Sequence, residues 1–187
     1  MSRPLSVLGI CGSLRKLSYN RGLLEAARVL APDGMVITTF EALRDVPSYD
    51  GDLDHEPYPP AVAALKNAVA ASDGILFATP EYNYGIPGLL KNAFDWASRP
   101  PKATPLAGKP AAILGASTGN FGTARAQLDL RKALLSTASY AMLRPELLLA
   151  RCAEKFDAES RLTDEHSREL LRAFLAAFAE WIEKMRP

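Results

Sequence analysis

The residues best suited to chemistry in this chain lie close together, in Gly12-Ser13-Leu14-Arg15-Lys16-Leu17-Ser18-Tyr19-Asn20. Ser13 and Ser18 bring hydroxyls, Asn20 an amide, and Arg15 a guanidinium that can grip phosphate oxygens in pairs. An apolar run, Leu5–Ile10, precedes the stretch, and an amphipathic run, Arg21–Leu30, follows it. A loop that opens a helix presents unpaired N–H groups and the positive end of the helix dipole, which suits an anion. Neither common nucleotide loop is matched. A Walker loop needs Gly-Lys-Ser/Thr, whereas the only Gly-Lys pair, Gly108-Lys109, runs into Pro110. A dinucleotide fingerprint needs three spaced glycines, and this loop has Gly12 alone. A terminal monophosphate suits such a loop better than a pyrophosphate does. The same residues also fit a plain polar loop with Asn20 as helix N-cap, and this stretch alone does not choose between the two.

Two further loops carry suitable groups. Pro80-Glu81-Tyr82-Asn83-Tyr84-Gly85-Ile86-Pro87-Gly88 combines two aromatics, an amide and a glycine ahead of a helix. Its backbone can read the polar edge of a flat heterocycle while Tyr82 or Tyr84 packs beside it. Ala116-Ser117-Thr118-Gly119-Asn120-Phe121-Gly122 is built of small residues that let a planar ring approach the backbone. Other candidates are weaker. Asp50, Asp52, Asp54 and Glu56 suggest a calcium loop, but counting from Asp50 puts His55 where the glycine belongs and Ala61 where the closing glutamate belongs. Cys11 and Cys152 have no CxxC spacing, and with His55 and His166 they make no metal centre, so no metal is expected.

These loops must be positioned by the elements around them. Strands are expected at Leu5–Ile10, Met35–Phe40, Ile75–Thr79, Pro110–Ala116 and Tyr140–Leu149, with Pro145 marking a bend or an edge. Helices are expected at Arg21–Leu30, Ala61–Ala71, Gly88–Ser98, Ala124–Thr137 and Thr163–Arg186. Residues 41–60, with Pro47, Pro57, Pro59 and Pro60, read as a long irregular loop. Short apolar strands alternating with helices imply right-handed crossovers and a parallel sheet covered on both faces. Ligands of such a fold sit at the carboxyl ends of the strands, where strand order reverses, which selects the loops at 11–20, 80–87 and 117–123. The 187 residues are read as one domain. With 22 basic and 21 acidic residues the net charge is +1, so no nucleic-acid partner is expected. No segment is apolar enough to span a membrane, Met1–Leu5 does not open a leader, and two unpaired cysteines suit the cytoplasm.

Three motifs in this order carry a resemblance. Gly-Ser-Leu-Arg-x-x-Ser-x-Asn at 12–20 resembles the flavin phosphate loop of the NADPH-dependent FMN reductase family. Pro-Glu-Tyr-Asn-Tyr-Gly-Ile-Pro-Gly-Leu-Leu-Lys-Asn-Ala-Phe-Asp-Trp at 80–96 is similar to that family's most distinctive stretch, and Gly-Ala-Ser-Thr-Gly-Asn-Phe-Gly-Thr-Ala-Arg-Ala-Gln at 115–127 completes the set. The nearest branch is that of the quinone and chromate reductases, related to the FMN azoreductases. The resemblance implies a flavodoxin-like three-layer α/β/α sandwich with a five-stranded parallel sheet of order 2-1-3-4-5. It implies a tightly bound FMN, NADPH or NADH as co-substrate, and a homodimer or homotetramer. By motif position Ser13, Arg15, Ser18 and Asn20 would hold the phosphate, with Tyr19 beside them. Pro80, Glu81, Tyr82 and Asn83 would line the isoalloxazine with their neighbours Tyr84 and Gly85, and Ser117 would lie near its other edge. Family members commonly have serine where Gly85 stands. Arg125 and Glu146 are charges the family is thought to use across subunits, and Phe94 and Trp96 read as core or subunit contact. The implied activity is ping-pong transfer from NAD(P)H to quinones, azo or nitro compounds, or metal oxyanions such as chromate. The flavin carries that chemistry, so no side chain is assigned as a catalytic acid or base. The alternatives are an electron carrier of the flavodoxin type and a non-catalytic flavin-binding protein.

Overall fold

The computed structural model describes residues 3–186; Met1 and Ser2, on which the leader reading partly rests, and Pro187 lie outside the described residues. The strands are β1 (Leu5–Cys11), β2 (Met35–Thr39), β3 (Gly74–Ala78), β4 (Pro110–Ala116), β5 (Tyr140–Ala141) and β6 (Leu147–Leu149). The α-helices are α1 (Tyr19–Val29), α2 (Pro60–Ala71), α3 (Gly88–Ala97), α4 (Ala124–Ser136) and α5 (Glu165–Met185). All strand pairs are parallel, and the order is β2-β1-β3-β4-β5, with β6 also on β4. This is the flavodoxin-like arrangement.

Strand side chains alternate between two cores, which makes the three layers. Val7, Leu76 and Leu114 join Leu23, Phe174 and Phe178 under α1 and α5. Leu8, Ile75 and Ile113 join Leu65, Trp96 and Leu130 under α2, α3 and α4. A side chain that leaves water entirely contributes about 1.5–3 kcal/mol, so both faces of the sheet are driven to be covered. Trp96 is fully buried and Phe94 nearly so, which places both in the core of this chain.

The expected fifth strand, Tyr140–Leu149, is a correction: it is two short strands. Tyr140–Ala141 pairs with Pro110–Ala111, and Leu147–Leu149 pairs with Leu114–Ala116. Between them Pro145 has no N–H to give to a ladder. The guanidinium of Arg131 donates to the carbonyl of Met142 at 2.7 Å and holds the interruption against α4. The 41–60 loop is more ordered than its prolines suggest, with 3-10 turns at Glu41–Asp45 and Gly51–Leu53. Asn92 grips its backbone twice, donating to the Pro47 carbonyl at 2.8 Å and accepting from the Tyr49 N–H at 2.7 Å, and the Trp96 indole N–H donates to the same carbonyl. Asp50 spends its carboxylate capping the second turn through the Asp52 N–H.

Candidate active site

Because β1 has β2 on one side and β3 on the other, the chain leaving β1 and the chain leaving β3 run to opposite faces and open a crevice at the carboxyl end of the sheet. A cleft of about 140 Å³ lies there. Ser13, Arg15, Ser18, Tyr19 and Asn20 line it from the first loop; Pro80, Glu81 and Tyr82 from the second; Ala116, Ser117 and Thr118 from the third. Its volume is below the roughly 300–1,000 Å³ of a pocket that swallows a ligand whole. A cleft of this size has room for one end of a mononucleotide but not for the whole.

At the end of the cleft nearest α1, the helix start presents free donors that suit an anion. Ser18, not Asn20, is the N-cap of α1: its Oγ accepts the Arg21 N–H at 3.3 Å. The N–H groups of Tyr19 and Asn20 meet no acceptor among the described residues, as the first turn of a helix requires. Ser13 and Ser18 are buried against the cleft floor. Arg15 donates only to the Leu17 carbonyl, and its guanidinium lies 6.0 Å from the centre of the Tyr19 ring. Two cations that sequence reasoning did not assign join it. Arg44 donates to the Leu14 carbonyl, and Arg151 donates to the Asn120 side chain at 2.9 Å. Arg15, Arg44 and Arg151 thus give their hydrogen bonds to neutral oxygens, so an otherwise neutral chain carries unspent positive charge at this mouth. No local sequence signal marks Arg44 and Arg151, which reach the loops only through the fold.

Asn20 is also placed differently from its expected role as cap. It lies within α1, almost fully buried, and its amide donates to the Ala116 carbonyl at 2.9 Å while accepting the Ala116 N–H at 2.9 Å.

At the other end, Tyr82 and Gly85 exchange N–H···O bonds of 3.1 and 3.0 Å across a two-residue turn. Asn83 and Tyr84 in that turn have φ of 49° and 67°, the signature of a tight hairpin. The side chain of Tyr82 is half exposed at the cleft. Asn83, Tyr84 and Gly85 are not brought to the cleft wall. The Tyr84 ring lies 4.0 Å from the Arg125 guanidinium, and a Cβ at Gly85 would sit 3.2 Å from Asp129 Oδ2. A side chain at 85 would therefore face the groove between α3 and α4.

Glu81 borders the cleft, but its carboxylate is already engaged. It accepts the N–H groups of Arg125 (2.9 Å) and Ala126 (3.2 Å) at the start of α4 and pairs with the Arg125 guanidinium at 2.7 Å. Arg125 in turn lies over the ring of Tyr84 and, at 4.7 Å, over that of Phe121. This pair is made within one chain, as is that of Glu146 with Arg144. Burial pushes the Glu81 carboxyl up, but the bonds from Arg125 and Ala126 outweigh it and hold it below the usual glutamate range. A depressed carboxylate stabilises the fold above its unfolded value, and that contribution is lost as pH falls through the folded one. Glu81→Gln is thus expected to cost about 1–3 kcal/mol at pH 7 and much less below pH ~4, read by chemical denaturation at both pH values. An equal loss at both would show that the charge is not what matters.

Ser117 Oγ accepts the Gly119 N–H at 3.2 Å, while the N–H groups of Thr118 and Asn120 have no acceptor among the described residues. They are the available donors for a heterocycle's polar edge. Burial pushes the Cys152 thiol up to about 11 and raises that of Cys11, so neither is a nucleophile at neutral pH. A larger cleft of about 400 Å³ lies between α1 and residues 159–168. Its floor is Ala26, Val29 and Leu162, and Arg21, Arg161 and Arg168 at its rim are paired with acids.

A doubly wound sheet with a helix-start anion site and two loops shaped for a flat ring defines a mononucleotide-binding protein of the flavodoxin-like class. Comparison with known proteins narrows this. The family model for NADPH-dependent FMN reductases matches residues 5–154. The chain is 47% identical over 186 residues to an NAD(P)H-dependent FMN reductase of Pseudomonas aeruginosa, covering all of both chains. It is 38% identical over 188 residues to a quinone reductase of Escherichia coli, again over both full lengths. Among solved structures, the flavoenzyme NAD(P)H:(acceptor) oxidoreductase FerB of Paracoccus denitrificans superposes with a TM-score of 0.88 at 39% identity, covering 97% of this chain and 98% of that one. The chain belongs to the NADPH-dependent FMN reductase family, and is an oxidoreductase that uses FMN and NAD(P)H.

Proposed function

We propose that this chain is an FMN-dependent quinone reductase, working by a ping-pong cycle in which one open flavin face serves NAD(P)H and then the acceptor. The observation that carries this is the cleft itself: a helix start with two free N–H groups and an Arg15 without an acidic partner, set beside an aromatic hairpin and a loop with two free backbone donors. Bound FMN supplies the redox chemistry. The protein's share is to anchor the phosphate with Ser13, Ser18, Arg15 and the first turn of α1, and to offer the Thr118 and Asn120 N–H groups where negative charge develops on reduction. Tyr82 flanks the ring, and the small volume of the cleft leaves the opposite face open to flat oxidants. Quinones are the acceptor class we favour; azo and nitro compounds and chromate are further oxidants such a face would admit. Two buried, unbridged thiols suit the cytoplasm. Anaerobic mixing with NADPH should bleach the flavin absorbance, and a quinone should restore it. A bound flavin that stays oxidised would overturn the assignment. Parallel initial-rate lines against both substrates are expected, and intersecting lines would exclude the ping-pong cycle.

We also propose a homo-oligomer. Leu128 and Leu135, seven residues apart on α4, are 55% and 80% exposed, and Phe121 in the turn before the helix is 67% exposed. A stripe of large apolar side chains on a helix marks an interaction surface. Leu128→Glu with Leu135→Glu should shift the protein to a smaller species by light scattering while its fold persists by circular dichroism. An unchanged mass would remove α4 from the interface.

A further inference from the structure

The flavin cleft is assembled from chain segments that are not neighbours in the sheet. The phosphate loop follows β1 and the loop with the free donors follows β4, with β3 between them. Backbone ladder bonds therefore cannot tie one loop directly to the other. The last ladder bond at this end of β3 is from the Thr79 N–H to the Leu114 carbonyl, at 3.0 Å. One residue on, the chain turns away at Pro80 and offers Ala116 no backbone partner, so its N–H and carbonyl would be left unmatched on that side. Asn20 fills both places. Its amide donates to the Ala116 carbonyl and accepts the Ala116 N–H, each at 2.9 Å, across 96 positions of sequence. In effect one side chain supplies a rung that β3 cannot. Ser117 then starts the third loop immediately after the clasped residue, and the Tyr19 and Asn20 N–H groups that await an anion belong to the same turn of α1.

We infer that Asn20 is a positioning residue, a strap that sets the distance between the phosphate anchor on α1 and the ring-edge donors after β4. This rests on the reading that the cleft takes FMN, and it differs from the role motif position assigns to Asn20, a direct hold on the phosphate. An amide with both heavy atoms committed to Ala116 has one N–H left, and moving it to a phosphate would abandon a buried N–H and carbonyl. A strap must matter to every flavin, with or without phosphate. A phosphate ligand matters only to FMN.

The test compares FMN with riboflavin, which lacks the phosphate, by fluorescence titration of the apoprotein. Asn20→Ala removes both bonds to Ala116 and places no charge beside the anion site. The strap predicts that FMN and riboflavin both weaken at least tenfold, the worth of one hydrogen bond or more, with their affinity ratio within twofold of the parent's. Loss confined to FMN would overturn the strap and make Asn20 a phosphate ligand; no change for either flavin would overturn it as well. Should the variant not fold, amide exchange on the parent protein decides. The Ala116 N–H must stay protected when FMN is added, and deprotection by FMN would show the side chain leaving for the phosphate. A parent apoprotein that binds neither flavin would instead sink the FMN assignment, an outcome distinct from the others.

Discussion

Gly115→Ala is expected to lower the melting temperature by on the order of 5–10 °C and to weaken flavin binding more than tenfold. Gly115 sits in β4 one residue before the end of the strand. A Cβ there would overlap Thr123 Oγ1 and the Thr79 carbonyl oxygen, and lie 2.9 Å from Thr123 Cβ. The Thr79 carbonyl is backbone at the end of β3, so it cannot move aside as a side chain can. Relief must come from parting β3 and β4 or from displacing Thr123, the cap position of α4. Either motion disturbs the loops at 80–87 and 117–123 together. Overpacking of a dense core costs about 1–3 kcal/mol, and more where backbone is the obstacle. Adding Thr123→Ala should recover part of the loss, because it removes the hydroxyl and leaves the Thr79 carbonyl and the Cβ of residue 123. Gly51→Ala, where a Cβ meets open space, serves as control and should change nothing. A Gly115→Ala protein that melts within 2 °C of its parent and keeps its flavin would show that this contact does not set the spacing.

The second large effect is expected at Arg15. Arg15→Ala should weaken FMN by about 10- to 100-fold, as loss of a charge-assisted bond to phosphate does, and leave riboflavin within twofold. Arg15 has no competing carboxylate, since its hydrogen bond goes to the Leu17 carbonyl, so its charge is available to a ligand. Arg15→Lys should recover only part of the loss, because an ammonium cannot make the paired bonds of a guanidinium. Raised salt should narrow the difference between parent and variant, as screening demands. If riboflavin falls as far as FMN, Arg15 acts on the loop and not on the phosphate. The contrast with Asn20 is built into the geometry: Arg15 is uncommitted and exposed, Asn20 committed and buried.

Much of this was legible in the chain. The strands β1, β3 and β4 and the helices between them follow from apolar runs and their period, because a buried strand and an amphipathic helix are each local consequences of which residues must leave water. The three site loops follow from that order, since the carboxyl ends of parallel strands are the one place where loops from both faces meet. The motif residues Ser13, Arg15, Ser18, Tyr82 and Ser117 do line one cleft. The break in Tyr140–Leu149 was less legible. Pro145 signals a bend, but whether the strand continues beyond it depends on β4 offering Leu114–Ala116 as a second partner.

What the sequence by itself determined is therefore the inventory: a phosphate-loop composition at 12–20, an aromatic hairpin at 80–87, a small-residue loop after β4, and a net charge too small for a polyanion. What only the tertiary structure decided is which of those groups remain free. Asn20 is spent on Ala116, and Glu81 on the start of α4 and on Arg125. Position 85 faces Asp129, while Arg44 and Arg151 arrive at the rim from distant segments. The reason is physical. A residue's type sets which hydrogen bonds it can make, but burial forces each polar atom to take whatever partner the fold brings near. Asn20 and Ala116 are 96 positions apart, and no local pattern records that they meet.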